Sequence, residues 1–506
     1  MPSTMPVATI TPLQLPQLTQ PNNTKQGTEL LPPNPPSYDD VAQSPTTANS
    51  TSPSSPSSSS QDGSIALATS RSLMKAVNNK ADPDEVRRLV LEVVRMAQDE
   101  HMAKRLVDTG VIPHLITELK NSSPGELGVN NIVFALGLLS YVALLGKIKL
   151  LLRFYSRDLL SAASILRPGT AERLIEISKG TESGPARACL AWCLGRMVQS
   201  DEIAMRLIED GLPELLISWL IVSDDTNTHR YCAWTLGTLA RNDTLVDTLV
   251  ELDAIPALAS HLNRIATQSD SHPEDLCAAL FAVARFARTI KLSKALAAAG
   301  SVEPMVQILT QTLDPGVLNW AARAIGCHMR PNSSDMARIL LRAGAAKGLA
   351  RLPDVVPTEE TDALGSFAFA IARFSCAEWS AGTRKELVEA GVVDGLLRAL
   401  RAAASVPATN PQVHAELAFA ISFLGDVGGS SIRKEIQESG GVDILRQLAR
   451  QEPPDVRKAC ETAITSTTGN VFTRLTASTK AGLTHDWRGG CPDYLIPHPN
   501  FDAWNS

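Results

Sequence analysis

One phrase of this sequence appears twice, and its repetition constrains the fold more than any other feature. The stretches CLAWCLGRMVQ (189–199) and CAWTLGTLARN (232–242) place Trp192 and Trp234 42 residues apart. Both stretches have the apolar spacing of a helix, and no convincing strand-like alternation occurs along the chain. A period of this length predicts a stack of similar helical units, because one such unit cannot bury its apolar face alone.

A second pattern accompanies the first and marks a helix boundary. Two short apolar runs flank a glycine, as in LVDTGVIPHLI around Gly110 and LIEDGLPELLI around Gly211. Glycine accepts the left-handed backbone conformation in which many helices end, so the pattern predicts two helices joined at this position. It occurs eight times, at steps of 42 to 59 residues, with these central residues: Gly110, Gly169, Gly211, Asp253, Gly300, Gly344, Gly391 and Gly440.

Three helices in a unit of 42–49 residues resemble the armadillo repeat. The resemblance implies an all-α fold, a right-handed α-solenoid of armadillo-type three-helix repeats. We expect the array to span residues 71–470, with about eight repeats and an amino-terminal cap that includes a helix at 83–100. The long step between Gly110 and Gly169 predicts an insertion near 146–163. Residues 471–506 return to proline- and aromatic-rich sequence, which predicts an irregular carboxyl-terminal tail.

The first 70 residues have a different composition, rich in Pro, Ser, Thr, Asn and Gln. Such a segment cannot bury enough apolar surface to offset its conformational entropy, so we predict a disordered amino-terminal tail. Within it, Pro35, Pro36 and Tyr38 form a PPxY motif, PPSY, the type of ligand that WW domains bind. A proline-rich tail also produces this match by chance. Three Ser-Pro steps are candidate phosphorylation sites: Ser44, Ser52 and Ser55.

The third helix of each repeat carries the residues that the resemblance connects with ligand binding. In armadillo proteins the third helices line a groove that holds extended peptide segments. Positions i and i+4 share one face of a helix, so the tryptophan position and the fourth residue after it should point the same way. The first of these rows contains Phe134, Trp192, Trp234, Phe281, Arg323, Phe369 and Phe419. The second contains Leu138, Arg196, Thr238, Arg285, Cys327, Arg373 and Phe423.

The second row indicates which class of peptide to expect. Importin-α has asparagine at this fourth position, and none of the seven residues here is asparagine, which disfavours a receptor for nuclear localisation signals. Arginine donates planar, bidentate hydrogen bonds to carboxylates, a chemistry similar to that of the β-catenin groove. In the alternative interpretation, the arginines pair with carboxylates of adjacent repeats and the tryptophans belong to the core between repeats. On the first interpretation an acidic extended peptide contacts Trp192, Arg196, Trp234, Thr238, Phe281, Arg285, Arg323 and Arg373.

Composition and motifs limit the function classes. The net charge of −6 does not favour nonspecific binding to nucleic acid. The eight cysteines form no C-x2-C pair and mostly lie in apolar helical runs, which indicates a reducing compartment, the cytoplasm with or without the nucleus. No signal-peptide pattern is present, and no motif marks a catalytic residue, a cofactor site or a metal site. We therefore expect a protein that is not an enzyme.

The leading functional hypothesis is a scaffold or adaptor for protein–protein interaction. Its third helices would hold an acidic segment, and its tail would recruit a WW-domain protein such as a ubiquitin ligase that binds PPxY. Two alternatives stay open. The first is a nuclear transport adaptor of importin-α type, and the second is a membrane-peripheral organiser that uses the basic and apolar stretch KIKLLLRFYSR at 147–157.

Overall fold

The computed structural model describes residues 58–474 except for 124–127, 151–168, 269, 330–332, 378–380, 408, 452 and 471–472. Every regular element within these ranges is a helix, and none is a strand. The prediction of an all-α fold is confirmed.

Two helices precede the first repeat. They are α1 (Ser58–Asn78) and α2 (Pro83–Ala97), the second of which matches the helix predicted at 83–100. The start of α1 corrects the sequence prediction, because it lies twelve residues before the expected end of the tail at residue 70. One face of α1 is buried through Leu73, Ala76 and Val77. The first turns of α1 are serine-rich and lack the apolar spacing from which a helix is predicted.

Eight repeats follow within the described residues, and a complete repeat has a first, a second and a third helix. Repeats 1 to 4 contain α3 (Glu100–Asp108), α4 (Val111–Asn121), α5 (Val129–Leu150), α6 (Thr170–Lys179), α7 (Gly184–Met197), α8 (Asp201–Glu209), α9 (Leu212–Val222), α10 (Thr226–Leu239), α11 (Asp243–Glu251), α12 (Ala254–Thr267) and α13 (Pro273–Phe286). Repeats 5 to 8 contain α14 (Ile290–Ala298), α15 (Val302–Gln311), α16 (Pro315–His328), α17 (Ser334–Arg342), α18 (Ala345–Ala350), α19 (Leu352–Val355), α20 (Thr361–Ala377), α21 (Ala381–Glu389), α22 (Val392–Ser405), α23 (Pro411–Val427), α24 (Gly429–Glu438), α25 (Gly441–Gln451) and α26 (Pro454–Thr468).

Two repeats depart from this pattern. In repeat 2 only the second and third helices, α6 and α7, fall within the described residues, and most of the insertion predicted at 146–163 lies outside them. In repeat 6 the second helix is divided into α18 and α19 at Arg351, two residues before Pro353. A proline at this position removes a backbone donor and disfavours a continuous helix.

The second helix of each repeat begins just after the residue that the glycine pattern predicted. All seven glycines have left-handed backbones there, with φ between 78° and 97°. In repeat 4 the position is occupied by Asp253, which keeps the same conformation at φ 64°. Aspartate tolerates this region better than most side chains, although less well than glycine. The periodic glycines therefore determine where each repeat turns.

The core of the array is a continuous row of third helices, in which α5, α7, α10, α13, α16, α20, α23 and α26 pack in succession. The repeated AW-x-LG phrase explains how closely they approach. A Cβ atom added at Gly237 would lie 2.7 Å from the Phe281 ring and 2.9 Å from the Ala282 Cα. The same relation places the Trp234 ring against Gly195 and the Phe369 ring against Gly326. Each of these aromatic rings thus occupies the space left by a missing side chain on the preceding third helix.

Within the described part of the chain, no helix combines the length and the apolar character that crossing a membrane requires.

Candidate functional site

Three aromatic members of the predicted row lie in the core between repeats. Trp192 and Trp234 each expose 2% of their surface, and Phe281 exposes none. The Trp192 ring centroid is 5.4 Å from that of Phe134 in the preceding repeat, and the Phe281 centroid is 5.1 Å from that of Trp320 in the following repeat. These distances are typical of tilted and edge-to-face aromatic pairs. The three rings therefore stabilise the stack, as the structural alternative in the sequence interpretation proposed.

The arginines of the row lie beside these rings. The Arg196 guanidinium lies 5.4 Å from the centroid of the Trp192 ring, and Trp192 precedes Arg196 by one helical turn. The Arg196 side chain is half-buried. Farther along the array, the guanidiniums of Arg323 and Arg373 lie 4.2 Å and 4.8 Å from the centroid of the Phe369 ring. A cation over an aromatic face is held by the quadrupole of the ring, so these contacts fix the direction of the guanidinium groups.

Burial separates Arg196 from the other arginines of the row. Arg285 and Arg323 expose 3% of their surface and Arg373 exposes none, whereas Arg196 is only half-buried. The sequence interpretation required the arginine side chains of this row to be accessible to a peptide. The structure shows that most of these side chains lie inside the array. Contact between this row and a peptide stays a prediction, and Arg196 is the predicted contact residue with the most accessible side chain.

Arg323 and Thr238 of the predicted row have internal hydrogen-bond partners. The Nε of Arg323 donates to the Ser366 hydroxyl at 3.0 Å, and its Nη1 lies 3.7 Å from the Glu416 carboxylate of repeat 7. The Thr238 hydroxyl donates to the Trp234 carbonyl of its own helix at 2.8 Å. Arg323 therefore contributes to a buried ion pair that connects repeats 5, 6 and 7, as the structural alternative expected.

Sequence reasoning missed another buried arginine that forms an ion pair. This residue is Arg230, which precedes Trp234 by one helical turn. Its Nε lies 2.6 Å from the Asp275 carboxylate, and its Nη1 lies 2.6 Å from that of Glu274, both in repeat 4. Burial alone would lower the pKa of Arg230, but the two carboxylates raise it overall. The sequence contained a signal for Arg230, because a residue four positions before Trp234 lies on the same helix face as Trp234 and Thr238.

A histidine pair lies between repeats 3 and 4. The rings of His229 and His261 are 5.6 Å apart between centroids, and the Arg264 guanidinium lies 2.9 Å from the His261 Nδ1. Because arginine can only donate, Nδ1 is the acceptor in this hydrogen bond. Burial, followed by the charge of Arg264 and the neighbouring His229, lowers the pKa of His261 to about 3. Throughout the described residues, no group of three or more His, Cys, Asp or Glu side chains is arranged to hold a metal ion.

The described cysteines are mostly buried and belong to the packing of the third helices. Burial raises the pKa of the Cys189 thiol to about 12, and it raises that of the neighbouring Cys193 as well. A thiol with a raised pKa is a poor nucleophile and behaves as a small apolar side chain.

At the carboxyl ends of α10 and α13, two further arginines pair with aspartates. The Arg241 Nε lies 2.8 Å from Asp201, and the Arg288 Nε lies 2.7 Å from Asp243. Each aspartate begins the first helix of the same repeat, α8 or α11. Arg241 and Arg288 lie just beyond the carboxyl ends of α10 and α13, which end at Leu239 and Phe286.

Several sequence predictions lie outside the described residues. They are the PPSY motif with Pro35, Pro36 and Tyr38, and the Ser-Pro steps at Ser44, Ser52 and Ser55. Most of the basic stretch at 147–157 does as well.

Solved structures similar to this chain include proteins made by design. A crystal structure of an engineered protein matches 86% of this chain and 96% of its own chain, at 22% identity and a TM-score of 0.59. A designed armadillo repeat protein matches 50% of this chain and 99% of its own, at 21% identity and a TM-score of 0.42. Another designed armadillo repeat protein, in complex with the peptide (KR)4, matches 51% of this chain and all of its own, at 21% identity and a TM-score of 0.41.

The match at a TM-score of 0.59 shows a shared fold. No protein-family model matches the sequence, and no curated protein matches it. The three-helix repeats of this chain form an α-solenoid of armadillo type, and the first of these matches shows only that the engineered protein shares its fold.

Proposed function

We propose that this protein is a non-enzymatic interaction scaffold that binds an extended acidic segment of a partner along its third helices. The observation that carries the proposal is the half-buried guanidinium of Arg196, which the Trp192 ring holds in place. Arg285 and Arg373 follow on the corresponding face of later repeats, which gives the row a repeated positive charge. An extended peptide suits such a row, because its side chains recur along the same direction as the repeats.

Buried arginines contribute to this site through their charge. In a low-dielectric interior the field of a guanidinium is less screened than in water, so Arg285 and Arg373 favour a nearby carboxylate without touching it. Arg196 is expected to be the most important of the four arginines, because its side chain is the most accessible.

The amino-terminal tail supplies the second part of the proposal. The PPSY motif at Pro35, Pro36 and Tyr38 would bind a WW domain, for example that of a ubiquitin ligase. A chain with two separate sites brings two partners together through effective concentration, even when each site binds weakly. The proposed role is accordingly an adaptor in the cytoplasm that presents one bound protein to another.

The test for the acidic ligand is direct binding to the full chain. A fluorescein-labelled deca-glutamate peptide is titrated with wild type, Arg196→Gln and Arg338→Gln, and anisotropy is recorded at low and high salt. Arg338 is an exposed arginine on α17, a first helix, so it matches the charge change without changing the row. We expect Arg196→Gln to weaken binding about threefold to tenfold, within the range of the net contribution of a typical hydrogen bond, and Arg338→Gln to leave it unchanged. Equal affinities for all three proteins would refute a site at Arg196.

The WW-domain claim has an independent test. Wild type and Tyr38→Ala are compared in a titration with a recombinant WW domain that binds PPxY peptides. Tyr38→Ala should abolish binding, whereas Tyr141→Phe, at a tyrosine more than a hundred positions later in the sequence, should not. Full binding by Tyr38→Ala would remove the motif from the proposal and leave the acidic-peptide site unaffected.

A further inference from the structure

Three large apolar side chains lie largely in solvent at one edge of the array. Ile221 and Val222 end α9 and are 67% and 68% exposed, and Leu313 is 67% exposed two residues after α15. Ile221 lies ten positions after Gly211, and in the other seven repeats the equivalent residue is polar: Lys120, Lys179, Asn263, Thr310, Asp354, Arg401 and Arg450. Apolar side chains in water at an otherwise polar position mark this edge as a candidate interaction surface.

These side chains lie at the linkers between the second and third helices of repeats 3 to 6. We call these linkers the linker edge; its described residues are 223–225, 268, 270–272, 312–314 and 356–360. The second helices of these repeats pack in succession, so the linkers that follow them lie along one edge of the array. Leu313 belongs to the linker edge, and Ile221 and Val222 lie directly before it.

The linker edge itself is acidic. Its sequence contains six carboxylates and no lysine or arginine. Asp225 and Asp314 cap the amino ends of α10 and α16 through their side chains. The other four carboxylates belong to exposed residues: Asp224, Asp270, Glu359 and Glu360.

Arginines of the adjoining helices compensate part of this charge. Arg230 forms ion pairs with Glu274 and Asp275, and Arg351 donates hydrogen bonds to backbone carbonyls of repeat 5. Four arginines lie close to the linkers: Arg187, Arg230, Arg264 and Arg351. Once Glu274 and Asp275 are included, eight carboxylates and four arginines leave a formal charge of −4. This charge favours a ligand that combines positive and apolar side chains.

The stretch KIKLLLRFYSR at 147–157 has this complementary chemistry. It contains five large aliphatic or phenylalanine side chains, no acidic residue and four basic residues: Lys147, Lys149, Arg153 and Arg157. We propose that this stretch of one copy of the protein docks on the linker edge of a second copy. Its apolar side chains cover Ile221, Val222 and Leu313, and its cations lie beside the exposed carboxylates. The inference goes beyond the proposed function and does not depend on it.

The connectivity of the repeats favours a second copy over the same chain. The stretch begins in the last turn of α5, and the described chain resumes at α6, a second helix. Because the linkers follow second helices and precede third helices, the carboxyl end of α5 and the amino end of α6 lie at the opposite edge. A third helix of 14 residues such as α10 is about 21 Å long. The stretch would have to cross this distance and return within one chain, whereas two copies can exchange their stretches and close a two-fold dimer.

Sedimentation velocity of the full chain tests the exchange by charge reversal. The edge variant combines Asp224→Lys with Asp270→Lys, and the stretch variant combines Lys149→Glu with Arg153→Glu. We expect wild type to dimerise between about 1 and 100 µM, and each variant alone to stay monomeric, because like charges then face each other. An equimolar mixture of the two variants should dimerise again. In the mixed dimer the reversed charges of one interface attract each other, and the other interface keeps its wild-type charges.

Matched variants elsewhere on the array control for net charge and for apolar area. Asp247→Lys with Glu251→Lys reverses two exposed carboxylates on α11, a first helix, and should dimerise as wild type does. Ile221→Ser with Val222→Ser should weaken dimerisation about tenfold. Ile339→Ser, at an exposed isoleucine on α17, should leave dimerisation unchanged. Melting temperatures of all variants show that each is folded.

The outcomes decide the inference separately from the proposed function. Dimers of wild type and of the mixture, with monomers of each charge variant alone, would support the exchange. A wild type that stays monomeric over the whole range overturns it. Charge variants that dimerise like wild type, or a mixture that stays monomeric while wild type dimerises, overturn it as well. None of these results changes the deca-glutamate titration, which tests Arg196 on the third helices.

Discussion

His261 should make the array sensitive to mild acid. Its ring is 3% exposed, its Nδ1 accepts a hydrogen bond from Arg264, and His229 lies alongside. Among the described residues, the His261 Nε2 has no hydrogen-bond partner. A proton added to this ring would be buried beside the positive charge of Arg264, which is why the pKa falls from 6.5 to about 3.

The sign and size of the effect follow from this difference. The folded protein keeps His261 neutral down to a pH of about 3, whereas the unfolded chain binds the proton below about 6.5. The unfolded state therefore holds more protons between these values, and the free energy of unfolding falls as the pH is lowered through 6.5. From pH 7.5 to pH 5.0, His261 alone should lower that free energy by about 2 kcal/mol. His229 acts in the same direction, because burial and Arg264 lower its pKa too.

The assay compares urea unfolding of wild type, His261→Gln and His101→Gln between pH 7.5 and pH 5.0. Glutamine keeps an acceptor for Arg264 and does not titrate, so His261→Gln should lose about 2 kcal/mol of the pH dependence. His101 is exposed on the first helix of repeat 1 and serves as the control, which should retain the wild-type dependence. An unchanged pH dependence in His261→Gln, or an NMR titration of His261 near pH 6.5, would refute the reasoning.

Five further substitutions test how the repeats are built, each by urea unfolding. Gly237→Ala should destabilise the fold by about 1–2 kcal/mol, because overpacking against Phe281 and the Ala282 backbone exceeds the gain in helix propensity; an equally or more stable variant would contradict the close approach. Gly391→Ala should lower the free energy of unfolding by about 1 kcal/mol through its φ of 85° alone, since open space surrounds the added methyl group. Asp253→Gly at the equivalent position should leave that free energy unchanged or raise it. Arg230→Ala should lower the free energy of unfolding by about 3–5 kcal/mol, because it leaves two carboxylates unpaired. Adding Asp275→Asn should recover part of this loss. Full additivity of the two changes would argue against the ion pair.

The sequence was sufficient for the repeat register because the signal is local. A left-handed glycine between two apolar runs identifies each joint without knowledge of distant residues, and even Asp253 could be placed by its spacing. The start of α1 at Ser58 was missed for the same reason, since a serine run contains no local signal. Helical phase likewise grouped the aromatic and arginine positions on one face of each third helix.

What lies against that face could not be predicted from phase. Arg323 reaches Glu416 across 93 positions of sequence, and Arg230 reaches Asp275 across 45, so only the stacking of repeats reveals either pair. The row of arginines therefore contains members with different roles that look alike in sequence. The ring positions were similarly ambiguous, because tryptophan suits both a peptide groove and a core.

The ring-and-glycine contacts also restrict how such a chain can gain or lose whole repeats. Removal of repeat 3 would bring Phe281 of repeat 4 to Gly195 of repeat 2, and a ring would again meet a glycine. Removal of repeat 4 would bring the guanidinium of Arg323 to Gly237, whose surroundings fit a flat apolar ring. Duplication and deletion are therefore expected to be tolerated between repeats 2 and 4 and resisted at the boundary with repeat 5, so the array is only partly modular.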